Sequence, residues 1–564
     1  MSLEARIAAT YLAATLARAS GPGDDAAHVV TRVEFQRSEP AAGFDDLHVH
    51  HAAPSGGVST TYTQIKRTLT GARSEEAFRR PIADAARLLA EGGHDAASFR
   101  IAASESAISA RDVDRARDAA RLSRDATDFW TRWEAPGNSS PTERGYTSAV
   151  AWVIEQETGQ ADPETAWKVI ARMRVVVIDA DQGGSQTKAR AVDQLQGTLA
   201  SGDRGEAVDV YEALCVFAED AAKVAGGVDR AKLLGELSPR FRLLPSPSAR
   251  ADVERILADG DAALAGIRDD VAGVTLSRMT LYDQLEEVLT QASGLRLGGD
   301  AGTGKSAVLR RLAERRRADG AGALVLKHDR TGARTWAEHA RTLNVETPLA
   351  HLVAELAASG SAVLVIDGYD RIADAGRGEL VREVCHAIVG SPSHLLWRCI
   401  LSSRDSAGPE PTLDLPLVGE AVPWTVGVPD DEDLAFLSEA FPYLGDLLTR
   451  RGYADLNRNL FFIDQMARNP SVVGASSELD LMQSWARRGA AETPRHPTRD
   501  ATLRALGELR LHQPYGPLTR CLIPGFDGAL FTLEWRDALW AKFFTAAPPR
   551  RRQSVERSSI VKRA

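Results

Sequence analysis

The sequence predicts an α/β protein of several domains, and three observations lead to this fold class. The 564-residue chain has 44% hydrophobic and 26% charged residues, which is typical of globular proteins, and its length suits about three or four domains. Residues 1–106 alternate between helical and strand patterns. Between residues 294 and 405, apolar strand patterns alternate with helical ones, which indicates a parallel sheet.

The N-terminal elements follow the order α-β-β-β-α-β. An amphipathic helix is predicted over residues 1–18 and a strand over 28–35. Two alternating strands around a Pro-Ser-Gly-Gly turn follow at 44–69, then a helix at 74–92 and a strand at 97–106. Together these elements predict an α/β core at the start of the chain.

Four domains are predicted along the whole chain. They are an N-terminal α/β core over 1–125, a helical connector over 126–275, a parallel-sheet domain over 276–430, and a helical region with a basic tail over 431–564. Within the connector, MRVVVIDA at 173–180 is the one strand candidate. Arg550, Arg551 and Arg552 in the tail favour a solvated terminus over a DNA-binding segment.

Bulk composition limits the partners and the location of the protein. The net charge of −9 argues against a constitutive tight coat on DNA, although an acidic enzyme can act on DNA through a local basic groove. No apolar run approaches the roughly 18 residues of a membrane span, and the N-terminus lacks a signal-peptide core. Four scattered cysteines without CxxC spacing indicate a reducing compartment and no zinc site. We therefore expect a cytoplasmic protein with no membrane partner.

A phosphate-binding loop is predicted at GGDAGTGKS, which matches the GxxxxGK[ST] pattern between a strand (GLRL) and a helix (SAVLRRLAERRR). Glycines let backbone N–H groups close around phosphate oxygens at a helix N-terminus. The lysine reaches the β- and γ-phosphates, and the serine hydroxyl binds Mg²⁺. The predicted nucleotide-binding residues of this loop are Gly299, Gly302, Thr303, Gly304, Lys305 and Ser306.

Two further strands end in residues suited to the same nucleotide. SAVLVIDGYDRI ends an apolar strand in Asp367, which we predict to hold the Mg²⁺ water shell, the Walker B role. Asp370 is the candidate for positioning or activating the attacking water, since no glutamate follows Asp367. Arg404 ends the strand of RCILSSRD and is a candidate contact for the γ-phosphate. No guanine-reading motif follows the Walker B strand, so the predicted nucleotide is ATP with Mg²⁺.

The order of these motifs resembles the STAND class of P-loop ATPases on its NACHT-like side, over residues 277–510. The resemblance implies a helical lid and a winged-helix-like region after the ATPase core. It also implies a switch that ADP holds closed and that a trigger plus ATP drives to oligomerise. Arg371 stands where a glutamate is common in the class, which argues against efficient hydrolysis. Leu460 replaces the usual proline of a nucleotide-contacting motif, so that contact is not assigned.

The strand-turn-strand pattern at 44–69 carries candidate metal ligands. Alternation puts Asp46 on the polar face of the first strand, and puts Gln64 and Lys66 on one face of the second. Carboxylate and amide oxygens can bind Mg²⁺. A lysine can orient the attacking water and stabilise a developing phosphorane charge. The stretch alone does not distinguish a metal site from a plain surface hairpin.

Other residues near this pattern are weaker candidates. Glu34 is a third carboxylate, and Glu4 on the first helix is a fourth. His48, His50 and His51 on one strand could suggest a metal site, but the adjacent His50 and His51 face opposite sides, so the three cannot all bind one ion. We therefore predict that they lie on the surface or in a groove.

The N-terminal segment, over residues 1–125, resembles the restriction-endonuclease-like domain that cuts double-stranded DNA in bacterial antiphage effectors, including CBASS effectors. The likeness rests on Glu34, DDLHV, QIK, AFRRPIADAA and FRIAAS. With the STAND resemblance, it implies an ATP-switched, Mg²⁺-dependent DNA endonuclease of antiphage defence. Double-stranded DNA would be its substrate, other copies of the chain its oligomer partners, and a phage trigger or sensor protein its activator. The alternatives are a signalling ATPase whose N-terminal domain recruits a partner without catalysis and, less favoured, a DNA-repair motor.

Overall fold

Two β-sheets organise the chain, a six-stranded mixed sheet near the N-terminus and a five-stranded parallel sheet after it. The computed structural model describes residues 2–35, 46–53, 56–73, 75–92, 97–179, 185–300, 302–374, 376–403, 421–445, 448 and 459–468. Among these residues, no helix combines the length and the apolar character needed to cross a membrane. The predicted mixed α/β class is confirmed.

The first sheet contains the predicted hairpin at its centre. Its strands are β1 (Val29–Phe35), β2 (Leu47–Ala52), β3 (Val58–Leu69), β4 (Ala97–Ser106), β5 (Met173–Val177) and β6 (Gly227–Asp229). They lie in the order β5-β4-β3-β2-β1-β6, with β3, β4 and β5 parallel and the other neighbours antiparallel. Strands β5 and β6 come from the segment predicted as a helical connector, so this sheet extends past the predicted boundary at residue 125.

Helices cover both faces of this sheet. They are α1 (Leu3–Ala17), α2 (Glu76–Glu91), α3 (Ala110–Leu122), α4 (Ala126–Glu134), α5 (Pro141–Thr158), α6 (Pro163–Arg172), α7 (Gln186–Gln196), α8 (Arg204–Lys223) and α9 (Arg230–Leu237). One core joins α1, α7 and α8 to the sheet face of Val33, Leu47 and Val49. The other core joins α2, α3, α5 and α6 to the opposite face at Phe99 and Ile101.

Helix α1 is buried on nearly all sides, which its predicted amphipathic pattern did not anticipate. Ile7, Tyr11 and Leu12 have no exposed surface, and neither does Ala9 on another side of the helix. Helices α7 and α8 pack on α1 together with β1. Because alanine side chains are small, the neighbouring helices can approach α1 closely and leave little of it in contact with solvent.

The second sheet is parallel throughout and carries the phosphate-binding loop. Its strands are β7 (Gly294–Gly298), β8 (Gly322–Lys327), β9 (Ala362–Asp367), β10 (Trp397–Ser402) and β11 (Val422–Thr425), in the order β11-β7-β10-β9-β8. Its helices are α10 (Arg250–Ala265), α11 (Met279–Gln291), α12 (Lys305–Ala318), α13 (Trp336–Leu343), α14 (Leu349–Leu356), α15 (Tyr369–Asp374) and α16 (Gly378–Val389). Strand β10 is inserted between β7 and β9, so the carboxyl ends of these three strands lie side by side.

Two described helices of the C-terminal region pack in a small core of their own. They are α17 (Asp431–Ala440) and α18 (Leu460–Ala467). Leu437, Leu444 and Ile463 are fully buried there, together with Val271 from the segment before α11. Residues 446–447, 449–458 and 469–564, which include the basic tail, lie outside the described residues.

A buried ion pair connects the two sheet units. Arg230, at the start of α9, pairs with Glu355 of α14, with 2.7 Å between Nε and Oε1, and both side chains are at most 5% exposed. Arg230 also donates to the carbonyl of Leu16 at the end of α1. Glu355 also accepts a hydrogen bond from the Ser246 amide at 2.9 Å. The N-terminal unit and the parallel-sheet unit therefore share one polar junction.

Candidate functional site

The loop between β7 and α12 has the backbone conformation that its glycines allow. Gly299, Gly302 and Gly304 have φ angles of +129°, +84° and +93°, a region in which residues with a Cβ are strained. Lys305 is the first residue of α12, and its Nζ donates to the carbonyls of Gly299 and Asp300 at 2.7 Å. The ammonium group therefore lies over the loop that precedes it.

The hydroxyl of Ser306 and the carboxylate of Asp367 are in direct contact. Ser306 Oγ donates to Asp367 Oδ1 at 2.7 Å, and Asp367 is only 2% exposed. Ser402, at the end of β10, donates to the same oxygen at 2.7 Å and accepts from the Gly368 amide at 2.9 Å. Sequence reasoning missed Ser402, although its place at the polar end of an apolar strand could have indicated it.

Of the remaining predicted nucleotide contacts, the structure describes Asp370 and Thr303 but not Arg404. Asp370 lies in the first turn of α15, directly after the Walker B strand. Arg404 lies outside the described residues. Thr303 donates to the Asp300 carbonyl at 3.0 Å, so its side chain stabilises the loop itself.

Arg371, at the position where the family resemblance leads us to expect a glutamate, is held by a histidine. Its Nη1 donates to His328 Nε2 at 2.7 Å. Burial and then the charge of Arg371 lower the pKa of His328, so the imidazole is neutral and can accept this bond. Sequence reasoning did not identify His328, which lies one residue after β8 and reaches Arg371 only through the fold.

The start of α18 lies directly against the phosphate-binding loop. The Leu460 amide donates to the Gly302 carbonyl at 2.9 Å. A Cβ at Gly302 would collide with the Asn459 side-chain amide, and one at Gly304 would come within 2.9 Å of Leu460 Cδ1. The segment in which leucine replaces the expected proline thus contacts the loop through its backbone.

A second contact brings α17 to the same loop. Arg278 precedes α11 and pairs with Asp433 of α17 through Nε and Nη2, both at 2.8 Å. Its Nη1 lies 3.7 Å from where a Cβ of Gly304 would be. Neither residue was predicted, because their pairing spans 155 positions of the chain.

In the first sheet, the structure brings Asp46 and Gln64 together. Asp46 precedes β2, and its Oδ2 accepts from Gln64 Nε2 and, at 2.6 Å, from the Ile65 amide. Lys66 is two residues further along β3, on the same side of the strand as Gln64, and is half-buried. In the described part of the chain, the Lys66 ammonium makes no ion pair or hydrogen bond.

The two weaker carboxylate candidates have different surroundings. Glu34 Oε1 lies 3.0 Å from Arg32, and its Oε2 lies 3.6 Å from His50, so Glu34 belongs to a polar cluster on β1 and β2. Glu4 lines a cavity of about 420 Å³ that Asp46 also lines. The described residues contain no group of three or more His, Cys, Asp or Glu side chains placed to hold one metal ion.

The strand histidines are more buried than predicted. His48 and His51 are 5% and 3% exposed, which corrects their assignment to the surface or to a groove. His51 Nε2 is 3.1 Å from Thr61 Oγ1, and its Nδ1 is 3.6 Å from Asp24. Burial lowers the pKa of His51 to about 4 against the opposing effect of Asp24. Burial prevails because Asp24 is already paired with the buried guanidinium of Arg100.

Comparisons with known proteins give only distant structural likeness. No family model and no curated protein matches the sequence. The Walker-type ATPase PABY2304 of Pyrococcus abyssi is 14% identical over 50% of this chain and 93% of its own, with a TM-score of 0.28. AMPPCP-bound DnaA from Aquifex aeolicus is 11% identical over 53% and 96%, with a TM-score of 0.27. The Acinetobacter baumannii Cap4 SAVED/CARF-domain containing receptor with the cyclic trinucleotide 2'3'3'-cAAA is 9% identical over 65% and 66%, with a TM-score of 0.25. TM-scores this low carry no argument about fold or function.

Proposed function

We propose that this chain is an ATP-switched, Mg²⁺-dependent DNA endonuclease of bacterial antiphage defence. The observation that carries the proposal is the hydrogen bond between Asp46 and Gln64, close to Lys66 on the same strand. The same chain has a hydrogen bond between Ser306 and Asp367 at its second sheet. The first set of side chains suits phosphodiester hydrolysis, and the second suits a nucleotide with its metal ion.

The nucleotide site has the donor set that ATP and Mg²⁺ require. The backbone of the glycine loop, with Lys305, would hold the phosphates, and Ser306 and Asp367 would hold Mg²⁺. Two hydroxyl groups donate to one oxygen of the buried Asp367 side chain, whose carboxylate oxygens are the ligand type that Mg²⁺ prefers. Bound Mg²⁺ would supply charge neutralisation between the phosphates.

Hydrolysis at this site is slow in the proposed mechanism. Arg371 is held by His328 and offers no carboxylate to accept a proton from water. Asp370 is the remaining acid in the first turn after the Walker B strand, and it is the candidate for positioning that water. Slow hydrolysis suits a switch, because the ATP-bound state then persists long enough for copies of the chain to assemble.

The proposed nuclease site uses side chains of the first sheet. Asp46 and the amide oxygen of Gln64 would hold Mg²⁺, which prefers oxygen ligands. Lys66 orients the attacking water and stabilises the charge that develops on the phosphate oxygens. The water gives one proton to solvent as its oxygen bonds to phosphorus, the bond from phosphorus to the leaving oxygen breaks, and solvent returns a proton to the leaving oxygen. Oligomerisation on ATP binding would bring nuclease sites together on the two strands of DNA.

Plasmid cleavage tests both sites at once. Wild type with Mg²⁺ and ATP should degrade double-stranded DNA. Lys66→Ala should abolish cleavage and retain ATP binding, because Lys66 acts only at the nuclease site. Lys305→Ala should lose ATP binding. Lys168→Ala, an exposed lysine on α6, is the matched control and should cleave as wild type does. Cleavage by both Lys66→Ala and Gln64→Ala would disprove the nuclease assignment, and unchanged ATP affinity in Lys305→Ala would disprove the switch.

A signalling ATPase with a non-catalytic N-terminal domain is the second candidate. It is favoured by the lack of a three-residue metal cluster among the described residues and by the two donors that already occupy Asp46 Oδ2. Purified protein that binds ATP and oligomerises, but never nicks plasmid at any Mg²⁺ concentration, would select this candidate over the nuclease.

A further inference from the structure

A cavity of about 610 Å³ lies beside β8, and none of its lining residues belongs to the two sites described above. Helix α10 forms one wall, and the loop from β8 to α13, with α13 itself, forms the others. Cavities of this size are typical of small-molecule sites, and one ordered water would occupy only a small part of it.

Two buried polar side chains line the cavity without a hydrogen-bond partner. Thr331 is 2% exposed and His339 is 8% exposed. Neither side chain makes a hydrogen bond to any residue that the structure describes. Both side chains line the cavity and have no partner among the described residues, so a ligand in the cavity can pair with both of them.

The charge of the lining favours a cation over an anion. Asp259 and Glu338 supply two carboxylates against the single guanidinium of Arg330, which is already paired with Asp259 at 2.8 Å. Burial lowers the pKa of His339, even though Asp259 opposes this shift, so its neutral imidazole has a nitrogen that accepts a hydrogen bond. An ammonium group can therefore donate to Thr331, to His339 and to a carboxylate.

The rest of the lining suits an apolar body on that ligand. Ala263 and Val325 are buried at 1% and 4% exposure, and Leu343 is half-buried. We propose that this cavity binds a small organic amine, with its ammonium group at Thr331 and His339 and its apolar part against Val325 and Leu343. The proposal stands apart from the nucleotide and nuclease assignments, since it uses none of their residues.

The test uses two probes with the same aromatic body and opposite charge, phenethylamine and 3-phenylpropanoate. Titration calorimetry on the full chain should show saturable binding of phenethylamine and weaker or no binding of 3-phenylpropanoate. Thr331→Val and His339→Phe should each weaken phenethylamine binding by about three- to tenfold, the range for loss of one hydrogen bond. Thr331→Ser keeps the hydroxyl and should bind as wild type does.

Lys305→Ala separates this site from the phosphate-binding loop and should bind phenethylamine with unchanged affinity. Thermal unfolding of each variant checks that the chain is folded. The proposal is overturned if neither probe binds, if 3-phenylpropanoate binds more tightly, or if Thr331→Val and His339→Phe both bind phenethylamine like wild type.

Discussion

At the scale of single residues, one carboxylate accepts hydrogen bonds from two hydroxyl groups, one at the end of a strand and one at the start of a helix. Asp367 Oδ1 accepts from Ser306 at the start of α12 and from Ser402 at the end of β10. A buried carboxylate needs such donors, because its charge loses the solvation of water. The insertion of β10 between β7 and β9 is what makes Ser402 available for this role.

Replacing Ser402 with alanine should weaken Mg²⁺-dependent ATP binding by about tenfold, the order expected for losing a hydrogen bond to a charged group. The matched control is Ser403→Ala, because the Ser403 side chain makes no hydrogen bond within the described residues and should leave affinity unchanged. ATP titration with and without Mg²⁺ measures both effects. Equal affinities for the two variants would contradict the role of Ser402.

His51 should make stability depend on pH. In the folded chain its pKa is about 4, against 6.5 in the unfolded chain, so the unfolded state binds more protons between these values. Stability should therefore fall as the pH drops from 6.5 toward 4, by at most about 3 kcal/mol. The thermal midpoint of His51→Gln should show a smaller pH slope, while His351→Gln, at an exposed histidine, should keep the wild-type slope. A wild-type slope in His51→Gln would disprove this assignment.

At the scale of elements, the phosphate-binding loop is packed between its own strand and the start of α18. The Leu460 amide bonds to the Gly302 carbonyl, and the Asn459 side chain occupies the space beside the Gly302 Cα. Position 302 therefore requires glycine for two reasons. Its φ is +84°, and the Asn459 side chain lies too close to leave room for a Cβ. The contact places the start of α18 against the loop that is predicted to bind nucleotide.

Gly302→Ala should reduce ATP affinity by more than tenfold, because the new methyl group must displace Asn459 as well as strain the loop. Gly159→Ala is the control, since Gly159 has a φ of +75° but no atom within 4 Å of a Cβ at that position. ATP titration and thermal unfolding distinguish the two effects. Asn459→Ala combined with Gly302→Ala should recover part of the affinity, and a lack of recovery would rule out the collision as the cause.

The sequence predicted these elements where the signal is local. Alternation predicted the order of the first six elements and placed Gln64 and Lys66 on one face, and the glycine pattern located the loop before α12. It could not predict that β5 and β6 complete the first sheet, because pairs such as Phe99 with Met173 and Arg32 with Asp229 are far apart in the chain and leave no local pattern. His328 and Asn459 were missed for the same reason, whereas the place of Ser402 at the polar end of an apolar strand was a local signal that could have indicated it. The roles assigned to Asp46, Gln64 and Lys66 stay predictions.

At the scale of the whole molecule, the two sheet units are joined by a charged group rather than by apolar packing alone. Arg230 contacts the end of α1, the Leu244 carbonyl and Glu355 of α14, so one guanidinium bridges the first unit and the second. Buried ion pairs are weak evidence for stability, but removing one partner leaves the other charge uncompensated. A movement of α14 would therefore strain the bonds that Arg230 makes to the end of α1. Helix α1 also carries Glu4, which lines the same cavity as Asp46.

Glu355→Gln should lower the free energy of unfolding by about 3–5 kcal/mol, because it leaves the Arg230 charge buried without its counterion. Asp193→Asn is the control, since Asp193 pairs with Arg204 where both side chains are more than half exposed, and breaking that pair should cost less than about 1 kcal/mol. Arg230→Met combined with Glu355→Leu removes both charges and should recover most of the loss. Denaturant unfolding of all four proteins measures these differences. If Glu355→Gln is no less stable than Asp193→Asn, the junction does not hold the two units together. If Glu355→Gln is much less stable and the double variant recovers the free energy of unfolding, the uncompensated charge of Arg230 is the cause of the loss.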